Sequence, residues 1–84
     1  MGNYFLDMIR YATERGYELR IRTETVQGYT NVHISLRGGR FTQMRIIGFS
    51  EAEKIDLFSE QNFCELIKKM INDLATAEQE AEND

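Results

Sequence analysis

The 84-residue chain is predicted to be an α+β domain of two layers, α-β-β-β-α(α), a three-stranded antiparallel meander with helices on one face. Three observations predict it. Apolar residues recur at helical spacing before Gly16, the period switches to two between Tyr17 and Phe49, and helical spacing returns after Ser50. No repeat or linker interrupts this order. At this length one core is available, so residues 1–75 are expected to form a single domain.

Phe5, Met8, Ile9 and Ala12 form the first helical stripe. Asn3 suits an N-cap and Gly16 a left-handed C-terminal position, which predicts a helix over Tyr4–Arg15. Tyr17, Leu19, Ile21, Thr23 and Thr25 then alternate with charged residues, as in a half-buried strand. A turn at Val26-Gln27-Gly28-Tyr29 leads to a second strand in which Val32, Ile34 and Leu36 alternate with polar side chains. This turn pairs Thr23 with Val32, Ile21 with Ile34 and Leu19 with Leu36, all facing the helices.

The third strand, Phe41 to Phe49, is apolar on both parities, so the Gly38-Gly39 hairpin decides its register. A strict two-residue Gly38-Gly39 turn places Gln43 and Arg45 toward the core. A three-residue loop with a bulge instead aligns Ile34 with Met44 and Val32 with Ile46, and this is the expected register. The open face then carries the rows Arg22, His33, Arg45; Arg20, Ser35, Gln43; and Glu18, Arg37, Phe41, with Ile47 beyond.

Ser50-Glu51-Ala52-Glu53 has the form of a capping box. A short helix at about Glu51–Phe58 and a long one at Glu60–Ala75, capped by Ser59, follow from the stripe Phe63, Leu66, Ile67, Met70, Ile71 and Leu74; fusion of the two through a kink is the alternative. The acidic tail Thr76–Asp84 lacks apolar periodicity and is expected to fray.

Catalytic groups are sparse. His33 and Cys64 are single, and the expected layout puts them on opposite sides of the sheet, so neither a nucleophilic pair nor a metal site is expected, and no cofactor. Arg37-Gly38-Gly39-Arg40 joins strands and is not a phosphate loop. No apolar run is long enough for a membrane span. One cysteine precludes an intramolecular disulfide and suits a reducing compartment, so the chain is expected in the cytoplasm.

Charge is segregated. Between Tyr17 and Phe49 five arginines face two glutamates, whereas after Phe49 three lysines stand against ten acids. Arginine with exposed apolar side chains composes a binding surface. Arg20, Arg22, His33, Arg37, Arg40, Phe41, Arg45 and Ile47 are therefore the candidate site on the open face. Glu51, Glu53 and Asp56 lie close together, and favourable charge at a helix start accounts for them.

The α-β-β-β-α order is shared with double-stranded RNA-binding domains, but acids stand at Ser50-Glu51-Ala52-Glu53-Lys54 where that family places lysines. The layout also resembles some type II anti-CRISPR inhibitors. The likeness lies in the helix ending at Gly16-Tyr17-Glu18-Leu19, the meander and the acid-rich helical end. That resemblance implies a non-enzymatic phage or mobile-element protein in a bacterial host, blocking a nucleic-acid-binding defence protein stoichiometrically, with Glu51, Glu53, Asp56 and Glu60 mimicking phosphates in its basic site. The alternative is a small nucleic-acid-binding module using the arginine face, which the net charge of −4 disfavours. A third partner is a second copy, met through Phe41, Ile47 and Phe49 or through an edge strand.

Overall fold

The computed structural model describes residues 3–82. In chain order they form α1 (Tyr4–Glu14), β1 (Glu18–Val26), β2 (Tyr29–Gly38), β3 (Phe41–Gly48), α2 (Phe49–Lys54) and α3 (Glu60–Glu82). The sheet is antiparallel in the order β1-β2-β3, an α+β meander with helices on one face. Its least dimension, 17 Å against 44 and 35 Å, is that of two layers.

Both ends of α1 are fixed as the sequence predicts. The Asn3 side chain accepts from the Leu6 N–H. At the other end Gly16 takes φ +84°, Tyr17 N–H donates to Ala12 O and Gly16 N–H to Thr13 O, a Schellman motif that satisfies the last carbonyls. α2 ends in the same way with Asp56 in the left-handed position: Leu57 N–H donates to Ala52 O and Asp56 N–H to Glu53 O. That turn separates α2 from α3, so the two helices are not fused.

The core joins Met8 and Ala12 of α1, Leu19, Val32, Ile34 and Leu36 of the sheet, and Ala52, Leu57, Phe63, Ile67, Met70, Ile71 and Leu74. Tyr4, Phe5, Phe58 and Phe63 close one end as an aromatic cluster, with Phe5 and Phe63 centroids 4.6 Å apart. The Tyr4 hydroxyl donates to the Phe58 carbonyl, tying α1 to the α2–α3 connection.

Three helix boundaries after the sheet differ from expectation: α2 starts at Phe49 rather than Glu51 and stops at Lys54 rather than Phe58, ended by the left-handed turn at Asp56, and α3 runs beyond Ala75. Ser50 is not an N-cap. Gly48 holds that position without a side-chain bond, because β3 pairs as far as Gly48 and the helix begins at once with Phe49. Ser59 does cap α3, its Oγ accepting from Asn62 N–H. α3 continues past Ala75 to Glu82, because Leu74 is buried, Ala77, Glu78 and Ala81 are half-buried, and the Tyr17 hydroxyl donates to Glu78 Oε2. Residues 83–84 of the acidic tail lie outside the described residues.

The first hairpin has the expected register, closed by Gln27 and Gly28 at φ 52° and 82°, the signature of a type I′ turn. The second does not. Gly38 pairs with Phe41, Leu36 with Gln43, Ile34 with Arg45 and Val32 with Ile47. The turn is Gly39-Arg40, with positive φ at Gly39 alone, as in a type II′ hairpin. Gly38 is held in the strand because the Tyr17 ring lies against it where any Cβ would stand.

Candidate binding face

This register reverses the third strand relative to expectation. Phe41, Gln43, Arg45 and Ile47 lie on the helix side; Thr42, Met44 and Ile46 lie on the open face. Phe41 and Ile47, expected outward, are half-buried against the core. Arg45 also leaves the open face. It avoids burial because β3 is an edge strand whose core-side row is covered at its ends and open at Arg45. Arg40 sits in the turn with its guanidinium carbon 5.6 Å from the Phe41 ring centroid, not on the face.

What the open face presents is a different set. Its rows are Glu18, Arg37, Thr42; Arg20, Ser35, Met44; Arg22, His33, Ile46; then Glu24 with Asn31, and Val26 with Tyr29 at the hairpin tip. Met44 and Ile46 on β3 are 52% and 56% exposed and Val26 and Tyr29 at the hairpin tip 50% and 77%, two apolar groups separated by the Glu24–Asn31 row. Sequence reasoning missed all four. For Met44 and Ile46 the signal is the glycine at the first central position of a type II′ turn, which favours Gly39-Arg40 over a loop that consumes Gly38.

The charges on this face are largely paired. Glu18 Oε1 accepts from Arg20 Nε at 2.6 Å, Arg22 Nη1 lies 3.9 Å from Glu24 Oε2, and His33 Nε2 lies 3.2 Å from the same carboxylate oxygen. These pairs are solvent-exposed apart from His33 and add little stability. They leave Arg37 as the arginine of this face without an ion pair among the described residues. His33 is only 8% exposed, although no helix lies over it; it sits on the central strand between Arg22 and Ile46. Its Nδ1 is buried without a hydrogen-bond partner.

Glu51, Glu53, Asp56 and Glu60 are all exposed along α2, its terminal turn and the start of α3. None forms an ion pair among the described residues. Glu51 shares a cleft with Tyr29 and Phe49, between the first hairpin and α2. His33 and Cys64 are not brought together: Cys64 packs on the core side. Among the described residues no group of three or more His, Cys, Asp and Glu could hold a metal, and no helix is long and apolar enough to cross a membrane.

Away from the face, one titratable group is displaced. Burial first, then the hydrogen bond to the Glu78 carboxylate and its charge, push the Tyr17 phenol above its ordinary value of 10.0. This group ties the end of α3 to the sheet and takes no part in the binding face.

The fold and face together define a small two-layer α+β domain with one sheet surface left open. Compared with protein-family models, curated proteins and solved structures, the chain matches none.

Proposed function

We propose that this chain acts without catalysis, by stoichiometric binding of another protein through the open face of its sheet. The supporting observation is the exposure of Met44 and Ile46 in rows with the ion-paired Arg20 and Arg22, with exposed Val26 and Tyr29 at the hairpin tip of the same face. Desolvating large apolar side chains supplies binding energy, and oriented arginines at the rim supply specificity. The specific form proposed is an anti-defence inhibitor of a phage or mobile element, with a nucleic-acid-handling protein as its target. The acids from Glu51 to Glu60 would then add a second, phosphate-like contact.

Nucleic acid as the direct ligand has less support. The five arginines of the meander divide between the face (Arg20, Arg22, Arg37), the turn (Arg40) and the helix-side edge (Arg45), and two of the three on the face are neutralised by glutamates. Titration against candidate defence nucleases tests the proposal. Inhibition saturating at a fixed stoichiometry, and weakened at least about 100-fold (~2.7 kcal/mol) by Met44→Glu with Ile46→Glu, supports it. Turnover of a substrate, or a gel shift of nucleic acid by the chain alone at low salt, overturns it.

A further inference from the structure

The two edges of the sheet differ in their protection. β1 alternates Glu18, Arg20, Arg22 and Glu24, a charge pattern that discourages strand addition. β3 has one charge, Arg45, and its pairing with β2 runs without a bulge from Phe41 to Gly48. Two-residue turns close on a hydrogen-bonded pair, here Gly38 with Phe41. Alternation from that pair directs the backbone groups of Thr42, Met44 and Ile46 away from β2, toward the open edge.

Beside that edge lie unsatisfied groups of matching chemistry. The Gln43 side-chain oxygen is buried without a partner. Asp73 is exposed and lines the same cleft as Gln43, Phe41 and Ala77, between α3 and β3. Arg45 forms no ion pair among the described residues and is exposed on the helix side of the strand.

The geometry points to a homodimer made by antiparallel pairing of β3 with β3 of a second copy, centred on Met44, which extends the sheet to six strands. In this register Phe41 faces Ile47, Thr42 faces Ile46, and Gln43 faces Arg45 of the other copy, twice over by symmetry. Directly opposed side chains stand about 5 Å apart, so each Arg45 guanidinium reaches the orphaned Gln43 oxygen and the neighbouring Asp73 carboxylate. Charge complementarity selects the register. Centring on Arg45 would oppose two arginines, and a one-residue slip would set helix-side residues against open-face ones. The helices of both copies stay on one side, and the two open faces join into a continuous surface. The dimer does not depend on the identity of the partner proposed above.

Sedimentation over a concentration series tests it. A single strand pair falls below the ~1,600 Å² of a standard interface, so half-dimerisation is expected at roughly 10–100 μM. Met44→Pro removes a donor facing only the open edge, and Arg45→Glu sets like charges near Asp73; each is expected to weaken dimerisation at least tenfold. In a Cys64→Ser background, Met44→Cys is expected to form a disulfide dimer on mild oxidation. Ile46→Cys is not, because its symmetry mate lies about 14 Å away at ~3.4 Å per residue. Three results would overturn the proposal: a wild-type chain monomeric to 1 mM (~10 times the upper estimate), an undiminished dimer in folded Met44→Pro and Arg45→Glu, or equal cross-linking of the two cysteine variants.

Discussion

Gly38→Ala is the substitution that probes the structure most sharply at a single atom. An added Cβ would overlap Cδ1 and Cε1 of the Tyr17 ring and lie 3.2 Å from Glu78 Oε1. The ring cannot yield without losing its contact with the core and its bond to Glu78. Overpacking of this kind costs about 1–3 kcal/mol, the lost hydrogen bond about 1 kcal/mol, and the stiffer unfolded chain offsets roughly 0.4–1 kcal/mol. The expected net loss is about 2 kcal/mol, a fall of about 8–16 °C in melting temperature for a domain of this size. Thermal denaturation followed by circular dichroism reads it directly. The same substitution in a Tyr17→Ala background should cost close to nothing, since the obstructing ring is gone. Equal losses in both backgrounds would refute the reasoning, because Gly38 would then be needed for its backbone alone.

Other outcomes follow from the same structure. Gln27→Asn should raise stability by roughly 0.5–1 kcal/mol in urea unfolding, because Gln27 holds φ 52° in a turn that favours Asn-Gly. Phe63→Ala, at the centre of the core and the aromatic cluster, should cost about 3–5 kcal/mol by the same measurement. The raised Tyr17 phenol fixes the sign of an alkaline effect. The unfolded phenol ionises near 10.0 while the folded one stays protonated, so stability is intact below pH 10.0 and falls as pH rises through the folded value. Melting curves from pH 8 to 11 should show a loss at the alkaline end that Tyr17→Phe reduces.

Much of the fold is local, and that part is legible in the sequence. Asn3 and Gly16 mark the ends of α1 by their own side-chain and backbone chemistry, and Gln27-Gly28 sets the register of the first hairpin. The second hairpin is not local. Two adjacent glycines permit more than one turn, and the choice rests on Tyr17, which comes from the other edge strand, β1's lead-in, and lies on Gly38. Since register fixes facing, one long-range contact decides the composition of the site. Arg20, Arg22, His33 and Arg37 keep their predicted face, whereas Arg45, Phe41 and Ile47 exchange places with Met44 and Ile46. The end of α3 was illegible for a related reason: Ala77 and Ala81 make a faint stripe, and the contact of Glu78 with Tyr17 again joins distant residues.

The facing of Met44 is therefore the central structural claim, and its thioether offers the most direct measurement. Met8 and Met70 are buried whereas Met44 is half-exposed on the open face. Under mild peroxide, with oxidation mapped peptide by peptide, Met44 should convert to the sulfoxide well ahead of Met8 and Met70, and a bound partner should protect it. Oxidation of Met44 at the pace of the buried methionines would contradict the register, and equal oxidation in the free chain and the complex would contradict the binding face.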